Sequence, residues 1–157
     1  MKKQSVLFVC LGNICRSPAA EAIFLDLINK KGLNDSFIVD SAGTGSWHIG
    51  KKADYRMRIA AQKRGVNILS RARQINAKDF EKFNYIITMD DSNFENINDL
   101  KSRKSLSDFS KINKIQNFRS VFEETEVPDP YFGGDEGFDY VIDILEDSVS
   151  GFLDTIC

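Results

Sequence analysis

VLFVCLGNICRSP, residues Val6 to Pro18, is the stretch on which the reading of the fold turns. Val6-Leu7-Phe8-Val9 is a continuous apolar run of β-formers, the pattern of a short strand buried on both faces. Five residues separate Cys10 from Arg16. Ser17 then reads as a helix N-cap, with Pro18 at the first helical position. The helix that follows is expected to bury Ala19, Ala22, Ile23, Leu27 and Ile28. A thiol and an arginine therefore bracket a loop that joins a buried strand to a helix.

The same alternation continues outward. Phe37-Ile38-Val39 and Tyr85-Ile86-Ile87 repeat the strand pattern, and a weaker fourth candidate lies at Lys114–Phe118. Helical patterns run from about Asp54 to Arg64, stopping at Gly65, and begin again near Asn76 and Asp91. The last runs from about Asp135 to Ile156, with Phe138, Val141, Ile142, Leu145, Val149, Phe152 and Leu153 at helical spacing on one face. Strands alternating with helices imply an α/β fold with a parallel sheet and right-handed crossovers. Cys10, Asp40-Ser41 and Asp90-Asp91 follow three of the strand candidates. In such open sheets, ligands bind beyond the carboxyl ends of the strands.

A chain of 157 residues suits one domain, 1–157, with a core of its own. Hydrophobic residues make up 42% and charged residues 28%, and the net charge of −2 gives no global signal for nucleic acid. That mean hides an asymmetry. Residues 51–73 carry eight Lys/Arg against one acid, net +7, and residues 121–157 carry eleven Asp/Glu and no Lys or Arg, net −11. Both segments read as solvated faces, or the basic one as a steering patch for a phosphorylated partner. The three cysteines, Cys10, Cys15 and Cys157, are too few and odd in number for a secreted disulfide framework. The apolar run at Val6 is too short for a signal peptide or a bilayer span. The expected location is the cytoplasm, with no membrane contact.

The loop itself carries chemistry. Successive backbone N–H groups between a strand and a helix can curl round an anion, and the helix N-terminus adds unpaired donors and partial positive charge. Arg16 supplies a planar, two-pronged donor for phosphate oxygens. Gly12 permits tight curvature and Asn13 tolerates a left-handed backbone. Leu11, Gly12, Asn13, Ile14 and Cys15 thus form an oxyanion cradle with Cys10 at its floor. The same field favours a thiolate there, placed for in-line attack on phosphorus. The nucleotide-binding pattern G-x-x-x-x-G-K-[ST] does not occur.

At these residues the chain resembles the low-molecular-weight protein tyrosine phosphatases, whose signature loop reads CLGNICRSP here. The resemblance continues in DSAGTGSWHIG (Asp40–Gly50), ARQI (Ala72–Ile75), NYIITMD (Asn84–Asp90) and VPDPYFGG (Val127–Gly134), so it spans nearly the whole chain. It implies a four-stranded parallel sheet in the flavodoxin-like order 2-1-3-4, with helices on both faces. It implies hydrolysis of phosphotyrosine and small aryl phosphates without cofactor or metal. Cys10 matches the nucleophile that becomes phosphocysteine, Arg16 the phosphoryl-holding arginine, and Ser17 the hydroxyl that bonds the thiolate. Asp129, between Pro128 and Pro130, matches the general acid that protonates the leaving phenol and later activates water. Asn13 and Ser41 resemble the family's hydrogen-bonded brace of the loop. Asp90 matches a supporting position, with a plain capping role as the alternative. Many relatives have a histidine where this chain has Ser70, which implies a looser brace or a water in the histidine's place.

Leu11, Ile14, Trp47, Tyr131 and Phe132 read as pocket walls for a flat phosphorylated ring, with a core position as the alternative for Trp47 and Phe132. His48, the single histidine, is expected beside the pocket rather than in the chemistry. Of the paired tyrosines through which some relatives are regulated, only Tyr131 remains. Related enzymes pair the nucleophile with a neighbouring cysteine in a reversible disulfide, which implies Cys15 as redox partner of Cys10. Phosphoproteins are the implied partners and phosphate or vanadate the implied inhibitors, on a monomer or weak dimer. Phosphoarginine hydrolysis is the nearer rival, but relatives with that substrate resemble one another in a threonine where this chain has Ile14. Arsenate reduction needs a further cysteine pair that is missing. A phosphotyrosine-binding module would not need Cys10, Arg16 and Asp129 together. A metal site would lack a fourth ligand beside Cys10, Cys15 and His48.

Overall fold

The computed structural model describes residues 3–157. Four strands, β1 (Gln4–Cys10), β2 (Phe37–Gly43), β3 (Tyr85–Thr88) and β4 (Lys111–Lys114), form one all-parallel sheet in the order β2-β1-β3-β4. Five helices connect or follow them: α1 (Arg16–Lys30), α2 (Tyr55–Gln62), α3 (Asp79–Lys82), α4 (Asp91–Arg103) and α5 (Asp135–Ile156).

Period-two alternation in β1 divides the core. Val6, Phe8 and Cys10 join one cluster with α1, α2 and α5, while Leu7 and Val9 join another with Phe80, Phe83 and Ile97 from the α3 and α4 side. Both faces of the central strand are therefore dry, which is why its sequence shows no polar alternation. Phe8, Phe24 and Phe152 meet with ring centroids 5.8–6.3 Å apart and fasten α1 and α5 to the sheet. All seven apolar positions of the α5 stripe are buried.

Several boundaries differ from the sequence reading. The fourth strand is Lys111–Lys114, a polar edge strand, whereas Ile115–Phe118 is a 3-10 turn. Asp54 caps α2 by accepting from Arg56 N at 2.8 Å, and Gly65 ends that region with φ 76°. The helix expected near Asn76 starts only at Asp79, because Asp79 Oδ2 accepts from Asn76 N (2.8 Å) and Asn76 Oδ1 from Lys78 N (3.0 Å), holding that stretch as a turn. Leu27 is only half-buried, and Phe24 takes the core position instead.

β2 runs on to Gly43, so Asp40 and Ser41 lie inside the strand, beside Leu7 and Phe8, rather than at the ligand edge. At Gly43 a Cβ would sit 2.8 Å from the Leu11 carbonyl oxygen, so only glycine lets the end of β2 approach the thiol loop so closely.

The irregular 120–134 segment is anchored by Asp147 of α5. Its carboxylate accepts from the amides of Ser120, Val121 and Phe122 at 3.1–3.2 Å and from the Ser120 hydroxyl at 2.8 Å. Partial burial opposes the charge, but these donors outweigh it and hold the carboxyl below its ordinary value. A depressed folded-state pKa stabilises above the unfolded value of about 3.9 and is lost as pH falls through the folded value. Asp147→Asn is expected to cost about 1–2 kcal/mol at pH 7 by urea unfolding, a difference that shrinks below pH 4. A pH-independent difference would contradict this account.

The opposed charge runs meet as well. Arg64 reaches Asp143 and Glu146 of α5, and Arg73 reaches Asp40 and Asp79. Of the basic segment, Arg56, Arg64 and Arg73 are thus paired within the fold, and among the described residues only Arg64 pairs with carboxylates of the acidic run. Among the described residues no helix is long and apolar enough to cross a membrane.

Candidate active site

β1 delivers Cys10 to the sheet edge, and the loop 11–15 turns back into α1. The thiol is buried, 3% exposed, and three groups organise its sulfur. Asn13, at φ 56°, turns its backbone N–H onto Cys10 Sγ at 3.3 Å. Ser17 Oγ lies 3.0 Å from Sγ and accepts from Asn13 Nδ2 at 2.7 Å, so its own hydrogen is free for the sulfur or for the more distant Ala42 carbonyl at 3.5 Å. This employment explains why Ser17 is not the N-cap. The helix starts two residues earlier than expected, at Arg16, Cys15 is its N-cap without a side-chain bond, and Ser17 sits within the first turn.

Asn13 is itself held, because its Oδ1 accepts from Arg73 N at 3.0 Å. Arg73 lies in a segment bonded to the end of β2 through Gly43 N to Arg73 O and Ile75 N to Gly43 O. Its guanidinium is fixed by Asp79 on one side and Asp40 on the other, all at 3.0 Å. The brace therefore runs Arg73, Asn13, Ser17, Cys10. Ser41 is not in direct contact with the loop: its hydroxyl donates to Glu21 Oε1 at 2.6 Å, because the strand position points it at α1. Ser70 borders the same Glu21, whose carboxyl is raised chiefly by burial. The Arg73 amide thus fastens the loop, and among the described residues Ser70 makes no hydrogen bond to it.

Arg16 is 2% exposed. Its Nη1 donates to Asp90 Oδ2 at 2.6 Å and to the Val127 carbonyl at 3.0 Å. Its Nη2 faces Asp129 Oδ2 at 3.6 Å. Burial works against the charge, yet Cys10, Asp90 and Asp129 outweigh it and raise the pKa of the guanidinium. Arg16 also lines the cavity, and its Nε makes no hydrogen bond to a described residue. While one oxygen of Asp90 holds Arg16, the other accepts from Asn93 N at 2.7 Å and caps α4.

Asp129 stands opposite on its proline-flanked loop, with a side chain 41% exposed. Two ties position that loop. Val127 N donates to the Met89 carbonyl at 2.8 Å. Arg56 Nη2 donates to the Tyr131 carbonyl at 2.8 Å and Nη1 to Gly133 O at 3.4 Å, with its guanidinium 4.5 Å from the Phe138 ring centre. Arg56 is also paired with Asp54, whose own N–H donates to Ile14 O at 2.8 Å. One side chain thus couples the acid-bearing loop to the thiol loop. Arg56→Ala is expected to lower kcat for phenyl phosphate about tenfold with KM little changed, since a small misplacement of a catalytic group is costly. An effect on KM alone would contradict the positioning role.

These groups surround a cavity of about 140 Å3. Cys10, Arg16 and Asp129 line it together with Leu11, Ile14, Trp47, His48, Tyr131 and Phe132. Trp47 and Phe132 are 66% and 95% exposed, so neither is a core residue. Cys15 also borders the cavity; burial first, then the Asp54, Cys10 and Asp129 charges, raise its thiol pKa well beyond the ordinary range. At neutral pH it is therefore a protonated thiol. Cys157 is exposed at the C-terminus. Among the described residues no group of three or more His, Cys, Asp or Glu is arranged to hold a metal. A buried sulfur beneath a bound tetrahedral oxyanion, a guanidinium beside it and a carboxylate across from it can transfer a phosphoryl group to sulfur.

Sequence reasoning did not single out Arg73, Arg56 or Glu21. The ARQI match was the available signal for Arg73; for Arg56, the Asp at the N-cap two residues before it marked only a helix start.

Comparison with known proteins is consistent across sequence and structure. The family model for low molecular weight phosphotyrosine protein phosphatase matches residues 5–157. The low molecular weight phosphotyrosine protein phosphatase of Schizosaccharomyces pombe is 42% identical over 99% of this chain and 98% of its own. A protein tyrosine phosphatase from Entamoeba histolytica, crystallised with Hepes in its active site, superposes with a TM-score of 0.91 at 42% identity over 98% of this chain and 97% of that one. The Drosophila arginine phosphatase DARP gives the same TM-score at 36% identity, over 99% of this chain and 98% of that one.

Proposed function

The chain belongs to the low molecular weight phosphotyrosine protein phosphatase family, and on that premise we propose that it hydrolyses phosphotyrosine in proteins through a phosphocysteine on Cys10. The observation that carries the reading is the convergence of Cys10, Arg16 and Asp129 on one cavity, with Arg16 Nη2 3.6 Å from Asp129 Oδ2.

The steps follow from these positions. The phosphoryl oxygens lie in the loop of backbone N–H groups, with the Nε and Nη2 edge of Arg16 along them. The Cys10 thiolate attacks phosphorus opposite the tyrosyl oxygen, forming the S–P bond as the P–O bond breaks. Asp129 gives its proton to the departing phenolate oxygen. Water then enters from the side the phenol has left. Asp129, now a carboxylate, takes a proton from it as its oxygen bonds phosphorus and the S–P bond breaks. The Ser17 hydroxyl, 3.0 Å from Sγ, stabilises the returning thiolate. Charge stabilisation and positioning supply the catalysis, as phosphoryl transfer requires. The aromatic walls suit a phenyl ring at the depth of the phosphate, which phosphoserine is too short to span.

The test is hydrolysis of phosphotyrosine, phosphoserine and phosphoarginine peptides in the presence of EDTA. Phosphotyrosine is expected to give the highest kcat/KM, unaffected by the chelator. Faster cleavage of phosphoarginine would assign the substrate of the Drosophila relative instead. A free-thiol nucleophile suits the reducing cytoplasm. There, peroxide would convert the Cys10 thiolate to a sulfenic acid, and the Cys15 thiol would condense with it, releasing water and forming a disulfide. Mass analysis of the loop peptide after peroxide should show Cys10 joined to Cys15; sulfinic Cys10 beside free Cys15 would contradict that pairing.

A further inference from the structure

Beyond Leu11 and Trp47 lies a second, larger concavity of about 510 Å3 that shares both residues with the catalytic cavity. Its volume falls within the ~300–1,000 Å3 typical of ligand sites. Trp47 is the partition between the two. Its indole lies against Gly45, where any side-chain carbon would collide with the ring. The loop that carries it is pinned to the thiol loop by Thr44 N to Cys10 O and Gly45 N to Leu11 O, both at 2.9 Å.

The groove has a defined chemistry. Ile75, Leu100 and Leu106 supply apolar lining beside the polar Gln74, Asn76 and Asn96. Cations line it as well: Arg103 pairs with Asp99 at 3.4 Å, and Lys104 has no carboxylate partner among the described residues. Lys101, by contrast, is paired with Asp108 at 2.7 Å. A phosphotyrosine with its phosphate at Cys10 leaves its backbone at the cavity mouth. An extended chain advances ~3.3 Å per residue, so the next few residues reach past Trp47.

We propose that this groove binds the residues flanking phosphotyrosine in a protein substrate, seating an apolar side chain against Ile75, Leu100 and Leu106 and an acidic side chain at Lys104. The proposal rests on the phosphotyrosine reading above and adds the sequence context that the site selects. Continuity with the catalytic cavity identifies the occupant, because whatever carries the phosphate must cross its rim.

The experiment compares kcat/KM for p-nitrophenyl phosphate, phosphotyrosine, and phosphotyrosine peptides with leucine and glutamate, or alanine only, at the three positions on each side. Wild type should prefer the leucine- and glutamate-bearing peptide by about tenfold on one side, the effect expected for burying one leucine. The glutamate share should fade at high salt. Ala77, exposed and lining the groove, offers a site to fill it. Ala77→Trp should bring that peptide down to the alanine peptide while leaving p-nitrophenyl phosphate unchanged, and Lys104→Glu should remove the glutamate preference alone. Equal kcat/KM for the peptides in wild type, or a preference that survives both substitutions, would overturn the groove's role while the phosphatase reading stands. Inactivity toward p-nitrophenyl phosphate and phosphotyrosine alike would overturn both.

Discussion

Cys10→Ser is expected to reduce turnover of p-nitrophenyl phosphate at least ~10,000-fold, as removal of a covalent nucleophile does elsewhere. A serine hydroxyl is not ionised at neutral pH, and neither Asn13 N–H nor Ser17 Oγ is a base that could deprotonate it. The cradle should survive. Its shape is set by the Arg73 amide and the Arg16 pairing to Asp90, which do not involve the sulfur, and a serine oxygen can still accept from the Asn13 N–H. The variant should therefore still bind inorganic phosphate or vanadate and melt close to wild type. Calorimetric binding together with a thermal scan checks both. Activity within tenfold of wild type would rule out attack by sulfur.

Asp129→Asn is the second large effect, and its signature is selectivity rather than size. A general acid typically contributes about 100- to 10,000-fold, and most where the leaving group is a poor one. Phenyl phosphate and phosphotyrosine should lose activity in that range. A dinitrophenyl phosphate, whose phenolate leaves unaided, should lose far less in the first step. Asparagine keeps the shape of the side chain and an oxygen for the Tyr131 N–H that now bonds Oδ1 at 3.1 Å, so the loop should stay in place. Equal losses for both substrates in that first step, read from single-turnover phenol release, would mean that Asp129 acts by position or charge instead of by proton transfer. Arg56→Ala, which leaves the acid present but less firmly held, should show a weaker version of the same selectivity.

The part of the site legible in the sequence is the part that is contiguous. Cys10 to Ser17 lie in one turn of chain, so strand pattern, spacing and helix start together implied the anion cradle. Resemblance added Asp129, which composition alone would read as a turn residue between prolines. Local rules failed where a side chain had a better distant partner. Ser17 has the sequence of an N-cap, but Cys10 and Asn13 claim its hydroxyl. Ser41 looked like loop support, but the extension of β2 to Gly43 turned it toward Glu21. The fasteners Arg73 and Arg56 act across 60 and 75 residues of chain, on Asn13 and Tyr131, and no periodicity encodes such contacts. The fourth strand was missed by a few residues because an edge strand reading Lys-Ile-Asn-Lys lacks the apolar run that marked the other three.

The phosphocysteine is the central claim, and Asp129→Asn provides the means to see it. With dinitrophenyl phosphate the thiolate should be phosphorylated readily, while hydrolysis of the S–P bond lacks its base and slows. Rapid quenching followed by mass analysis of the loop peptide should find the phosphoryl group on Cys10, in amounts approaching one per chain during turnover. A phosphoryl group on any other residue, or steady turnover with Cys10 unmodified, would contradict the account.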